Sequence, residues 1–285
     1  MIGLAMKGRP YNTYERENMK IIGEKINGTR KRVAQAIAER DAEFIKDLAQ
    51  KQAAAGATWL DVNAGTHPDK EPDDLVWLIE NIQSVVETPI SIDSANPKAL
   101  QIAIKVVKQT PMINSISGEP ERLTNVLPIV AEHGCPVIAL AMDDKKIPET
   151  AEKRFEVIQK IVAEAHVHGV PDSNLYFDPL AMTLSTNTNS AMIAFETMRR
   201  VRQEYPEAHL TIGLSNISFG LPGRSFVNRY FLSLAMQAGL DSAILDPLDR
   251  EIQAAIMATE LVLGRDKHCL NYIRASRKGL FDKPE

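Results

Sequence analysis

From Lys20 onward the chain alternates short apolar, β-branched runs with longer stretches whose apolar positions recur at helical spacing. The short runs fall at residues 20–24, 58–62, 90–92, 112–113, 137–141, 175–177, 210–214 and 243–245. Near-continuous apolar runs of this length predict parallel strands covered on both faces. Amphipathic segments fill the intervals and follow the last run, at residues 42–55, 74–86, 97–107, 122–133, 151–168, 191–205, 225–238 and 251–263. Gly56, Gly134, Gly169 and Gly239 each stand just before a strand. A helix returning to a sheet commonly ends on such a residue, because glycine adopts the left-handed conformation that caps its last carbonyls.

Eight units without a low-complexity linker or a break in composition predict one closed (β/α)8 barrel of the TIM type, an α/β fold in a single domain. An open doubly wound sheet would bring a glycine-rich phosphate turn after its first strand, and Glu24-Lys25-Ile26-Asn27-Gly28 is not one. Residues 1–18 lack apolar periodicity and carry Gly8 and Pro10, so they read as an N-terminal extension or leader, which leaves residues 19–285 for the barrel.

Composition narrows the function. The 33 basic residues are interspersed with 37 acidic ones, for a net charge of −4, which gives no footprint for nucleic acid. The longest apolar runs, such as residues 136–142, are too short to span a membrane, and the N-terminus lacks a signal-peptide core. Cys135 and Cys269 lie far apart, with neither a zinc-ligand spacing nor a disulfide framework, which fits a reducing cytoplasm. His67, His133, His166, His168, His209 and His268 fall away from the strand ends, and no metal site is expected. Trp59 and Trp77 read as packing residues, and Met142, Met182 and Met192 either fill the core or line apolar space beside the site.

The residues just past each apolar run carry the chemistry. They are Glu24 and Asn27, Asp61 and Asn63, Asp93, Asn114, Asp143, Asp178, Asn216 and Asp246. In a barrel these positions converge on one mouth, where catalytic side chains sit. Each alone is explained equally well as a turn or N-cap residue. Together, a ring of carboxylates and carboxamides suits a polar ligand rich in N–H donors and ring-nitrogen acceptors, such as a pterin. With almost no Lys and Arg224 as the clear Arg candidate, the mouth is a poor phosphate site.

Six motifs in order add a resemblance: Gly23-Glu24-Lys25-Ile26-Asn27-Gly28, Leu60-Asp61-Val62-Asn63, Ile92-Asp93-Ser94, Ile113-Asn114-Ser115, Phe177-Asp178-Pro179-Leu180 and Gly213-Leu214-Ser215-Asn216-Ile217-Ser218. They resemble the pterin-binding methyltransferase family, above all the methyltetrahydrofolate:corrinoid/iron-sulfur protein methyltransferases and related corrinoid-dependent tetrahydrofolate methyltransferases. The resemblance covers residue 19 to the C-terminus. It implies a methyltransferase that moves a methyl group between N5 of tetrahydrofolate and the cobalt of a cobalamin carried by a separate corrinoid (B12-binding) protein, and a homodimer.

The resemblance assigns pterin hydrogen bonds to Asp93, Asn114 and Asp178, and places Asn216 near N5, with Asn216 and Asp93 as the catalytic pair. Asp61 and Asn63 either complete the pterin set or tie their loop together. Arg224, in the Gly- and Pro-rich loop 218–224, either contacts the ligand or pairs with a neighbouring acid. That loop is closer to methionine synthase and to the methyltransferases of methylotrophic corrinoid systems than to the acetogenic enzyme. The direction of transfer stays open, with methylcobalamin to tetrahydrofolate in one-carbon catabolism as one course. Two alternatives stand beside this reading: a non-catalytic folate-binding subunit that docks on a corrinoid protein, and dihydropteroate synthase. The second is disfavoured by the first loop, Asn27-Gly28-Thr29-Arg30.

Overall fold

The computed structural model describes residues 18–143 and 146–282, so the N-terminal extension expected at residues 1–18 lies, but for its last residue, outside the described part. Eight strands form one parallel sheet: β1 (Lys20–Asn27), β2 (Trp59–Asn63), β3 (Ile90–Asp93), β4 (Met112–Ser117), β5 (Val137–Leu140), β6 (Leu175–Asp178), β7 (His209–Leu210) and β8 (Ser242–Leu245). From β1 to β7 each strand pairs with the next, and β8 pairs with β1. The seam between β7 and β8 closes through Ile244 N–H donating to Ile212 O at 2.9 Å and a bridge between Gly213 and Ile244. The result is the expected barrel.

Among the described residues ten helices surround it: α1 (Lys31–Glu39), α2 (Ala42–Ala54), α3 (Glu71–Gln83), α4 (Pro97–Ala103), α5 (Pro120–His133), α6 (Ala151–Val167), α7 (Ser190–Glu204), α8 (Arg224–Ala238), α9 (Arg250–Val262) and α10 (Leu270–Arg277). Eight were expected, and α1 and α10 are additional. The apolar stripe of α1, Val33, Ala36 and Ile37, is regular but confined to a helix of nine residues, too short a window to stand out in the sequence. The run predicted as a strand at 210–214 is also corrected. Only His209–Leu210 pairs as a strand, and Leu214–Ser218 forms a 3-10 turn, although Ile212 and Leu214 are buried as a strand's residues would be.

Strand alternation explains where the polar side chains go, since successive residues face opposite sides. Leu60, Val62, Ile92, Ile113, Val137 and Phe177 pack outward in one core with the helices. Ile22, Trp59, Met112, Ile138, Tyr176 and Ile244 form a separate apolar cluster inside the barrel, its floor. Two residues further along the same inner face stand Glu24, Asp61, Asn114, Asp178 and Asp246. One geometric rule therefore sets an apolar plug below and a polar ring above it.

The floor is finished by a polar clasp. Trp59 meets Tyr176 edge-on at 5.8 Å, and Tyr176 stacks on His209 at 4.3 Å. His209, unexpectedly at the start of a strand, has Nδ1 2.8 Å from Asp241, which also pairs with Arg202 at 2.9 Å and accepts from Leu210 N–H at 2.8 Å. Burial alone would push the Asp241 carboxyl up, but the His209 hydrogen bond and Arg202 hold it below the usual carboxylate range.

Candidate active site

Four of the expected residues form two linked pairs at the upper rim of the inner face. Asp61, 4% exposed, accepts from Ser91 Oγ at 2.8 Å and from Asn114 Nδ2 at 3.1 Å on the same oxygen. Asn63 Nδ2 donates to Asp93 Oδ2 at 3.0 Å. The Asp61 contact orients Asn114, turning its amide nitrogen inward and leaving its carbonyl oxygen to accept from a ligand. Asp61 thus serves the ring from beneath.

Burial governs the electrostatics. It raises the Asp61 carboxyl to about 7, with the neighbouring Asp93 charge adding to the effect and Ser91 and Asn114 opposing it. Burial likewise raises Asp93, against the Asn63 hydrogen bond. Asp178, 6% exposed, is pushed by burial to about 6, while the N–H groups of Leu180 and Gly213 and the charge of Arg154 pull the other way. Glu24 is raised by burial, against Arg30 at 2.8 Å. Carboxylates held this way are short of donors, and a ligand that supplies N–H groups relieves the cost of burying them.

The β6 end and the turn after β7 are built as one unit. Asp178 Oδ1 accepts from Leu180 N–H at 2.7 Å, and Leu184 N–H reaches Ile217 O at 3.0 Å. Arg154 on α6, only 1% exposed, donates to Pro148 O at 2.9 Å and to Pro179 O and Leu180 O at 2.6 Å each. Asn216 lies in the 3-10 turn and is exposed, with its carboxamide unpaired among the described residues. Its amide is free where those of Asn63 and Asn114 are engaged.

Arg224 is tied to the turn that carries Asn216. Its guanidinium donates to Ser215 O at 2.8 Å and Ser218 Oγ at 3.1 Å and has no carboxylate partner among the described residues. One Lys among the described residues stands at the mouth, Lys25, which pairs with Asp246 at 2.6 Å. Glu24 and Asp246 are thereby committed to ion pairs. Asn27 caps its own loop, accepting from Thr29 N–H at 3.0 Å, and Asp143 accepts from Lys146 N–H at 3.5 Å.

Sequence reasoning missed Arg122 and Arg154. Arg122 on α5 donates to Ala95 O and Ser115 O at 2.5 Å each, and its charge is felt at Asp93. Both reach the site from helices, so a survey of strand ends passes them by. Arg154 did leave a trace, because it sits on the apolar stripe of α6 with Val157, Ile158 and Ile161. Among the described residues no cluster of His, Cys, Asp and Glu is arranged to hold a metal, both cysteines are free, and no helix is long and apolar enough to cross a membrane.

Known proteins resemble the chain at three levels. A family model described as pterin binding enzyme matches residues 23–246. The methylcorrinoid:tetrahydrofolate methyltransferase of Eubacterium limosum is 41% identical over 263 residues, covering 92% of this chain and 97% of that protein. The methionine synthase of Mycobacterium tuberculosis is 30% identical over 238 residues, covering 79% of this chain but only 20% of that protein. Among solved structures, a dihydropteroate synthase of Xanthomonas albilineans with 4-aminobenzoic acid superposes with a TM-score of 0.68 at 19% identity, covering 86% of this chain and 93% of that one. At that identity the likeness establishes the barrel alone.

Proposed function

Because the chain belongs to the pterin-binding enzyme family, we propose that it is a methyltransferase that moves a methyl group from a corrinoid protein to N5 of tetrahydrofolate. The observation that carries this reading is the 41% identity to a methylcorrinoid:tetrahydrofolate methyltransferase over nearly the full length of both chains. The site chemistry supports it. A tetrahydropterin presents N–H donors along its ring edge, and the under-satisfied carboxylates of Asp93 and Asp178 and the carbonyl oxygen of Asn114 are matching acceptors. The described cations around the mouth, Lys25, Arg30, Arg122 and Arg224, are each engaged with an acid or a backbone carbonyl. That arrangement disfavours a reaction with a pyrophosphate leaving group, as in dihydropteroate synthase.

The corrinoid supplies the methyl group and keeps the electron pair of the broken cobalt–carbon bond. What the chain contributes is position and charge. Asp93, Asn114 and Asp178 orient the pterin so that N5 faces the open mouth, while Asp61 and Asn63 hold Asn114 and Asp93 in register. Asn216 offers N5 a hydrogen bond that follows the change of charge as the N–C bond forms and the N5 proton leaves to solvent. An amide suits this task because it can accept from N5–H or donate to N5 without titrating. A cytoplasmic location, which the two free cysteines fit, and a homodimeric state complete the reading.

The test mixes the purified protein with methylcobalamin and tetrahydrofolate, and separately with Co(I) cobalamin and 5-methyltetrahydrofolate, following the cobalamin spectrum. Transfer in the first mixture that requires the protein is the expected outcome. Absence of transfer in both together with absence of folate binding refutes the reading, and folate binding without transfer to free cobalamin or the cognate corrinoid protein makes it a binding subunit. Asn216→Ala is expected to slow single-turnover transfer by about 100-fold while folate affinity stays within about twofold.

A further inference from the structure

Asn216 presents a problem that its own side chain does not solve. The carboxamide is exposed and has no protein partner among the described residues, so only the backbone of the 3-10 turn and the surface beneath it fix its place. A reacting group held loosely loses most of its effect, since productive geometry tolerates only a few tenths of an ångström.

Two features of the fold address this. The first is Gly213. Its backbone lies at φ −74° and ψ 96°, a conformation open to any residue, so conformational freedom does not explain the glycine. Space does, because a Cβ at this position would stand 2.9 Å from Asn216 Nδ2, with nothing else within 3.4 Å. The amide of Asn216 lies across the bare Cα of Gly213.

The second is a pair of hydroxyls on the loop between β6 and α7. Thr183 Oγ1 donates to Phe219 O at 2.5 Å and Ser185 Oγ donates to the same oxygen at 3.1 Å. Phe219 caps the 3-10 turn, with its N–H on Asn216 O at 3.2 Å. Leu184, between the two hydroxyls, binds Ile217 O from its own N–H at 3.0 Å, so three consecutive residues of one loop grip the turn on the far side of Asn216. This loop begins at Asp178, so the same segment that carries a pterin-binding candidate also sets the position of the amide.

We infer that Gly213 and the Thr183–Ser185 hydroxyl pair are positioning residues for Asn216, one as its seat and the other as the clamp on its turn. The inference rests on the assignment of Asn216 to N5. It predicts that Gly213→Ala, and separately Thr183→Val with Ser185→Ala, slow single-turnover methyl transfer by about tenfold while folate affinity moves less than about twofold. The decisive readout is a double-mutant cycle. In an Asn216→Ala background the same changes should produce no further slowing, because the group they position is gone. Thr183→Ser, which keeps the hydroxyl, should transfer at the wild-type rate.

The failures separate cleanly. If Asn216→Ala itself transfers at the wild-type rate, the role of Asn216 falls and the inference falls with it. If Asn216→Ala is slow but Gly213→Ala and the hydroxyl variant are not, only the inference falls. Equal slowing by these changes in both backgrounds also overturns it, since a general loosening of the barrel does not depend on Asn216. Thermal unfolding of each variant, expected within about 2 °C of wild type, identifies that last case.

Discussion

Acidification should pull apart two consequences of burying Asp178. Burial lifts its carboxyl from the ordinary 3.8 to about 6, against the Leu180 and Gly213 N–H groups and Arg154. At about 1.4 kcal/mol per pH unit, that interval corresponds to about 3 kcal/mol. Between pH 3.8 and about 6 the folded chain retains a proton that the unfolded chain has released, so this group's contribution to stability falls as pH rises through that window and is level above it.

Folate affinity should run the opposite way, because the ionised carboxylate is the stronger acceptor for pterin N–H groups. It should be full above pH 6 and weaken below it, by about tenfold at pH 5. Other buried acids titrate nearby, so the measurement compares wild type with Asp178→Asn, which keeps an acceptor for Leu180 N–H. The variant should bind tetrahydrofolate about 10-fold to 100-fold more weakly at pH 7.5 and lack the Asp178 step on acidification. Urea unfolding should show its stability relative to wild type improving by up to about 3 kcal/mol from pH 4 to pH 7, on top of a constant offset for the lost acceptor. An equal pH slope of affinity in both proteins, or a stability difference that ignores pH, refutes the reasoning.

Two further perturbations test the ring and its frame. Asp61→Asn retains an oxygen for Ser91 and Asn114 while removing a carboxyl that burial has raised. Since wild type loses stability as pH rises toward about 7, the variant should gain about 1–2 kcal/mol at pH 8 and markedly less at pH 4.5, read from denaturant midpoints. Gly28→Ala should destabilise by about 3 kcal/mol, because its Cβ would lie 1.8 Å from Ala64 O where the loops after β1 and β2 cross; an unchanged midpoint would show that the crossing can open.

How much of this was legible in the sequence depends on how far each residue lies from the chain segment that explains it. Asp61, Asn63, Asp93, Asn114 and Asp178 are legible because alternation along their own strands sends them to the inner face, and the barrel converges the strand ends. Gly28 and Gly213 are visible as glycines, but their reason is contact with Ala64 O and Asn216 across a fold the sequence does not display. Arg122 and Arg154 reach backbone carbonyls 27 and 25 residues away, Ala95 O and Pro179 O, so no local pattern announces them. The end of β7 was misread for a related cause. Ile212 and Leu214 have the apolarity of a strand, yet the turn residues Ser215 and Asn216 end the pairing and fold the segment over the rim.

The two ends of the barrel show why the upper ring reads as a ligand site rather than as internal scaffolding. Asp241 at the floor is as buried as its counterparts above, but it is met by Arg202, His209 and the Leu210 N–H, and its carboxyl is held down. Asp61 and Asp178 at the mouth share the burial without a paired cation in contact, Glu24 and Asp93 beside them are half-buried, and all four are held up. A chain that can satisfy a buried carboxylate at one end and leaves several under-satisfied at the other is retaining a cost that simple Asn substitutions would relieve. A ligand that binds there and brings donors with it would supply the compensation. The reduced pterin proposed as substrate, with N–H groups along its ring edge, would meet that requirement. The same argument turns the stability gained in Asp61→Asn and Asp178→Asn, set against folate affinity lost in the latter, into a direct measure of what the ligand is asked to supply.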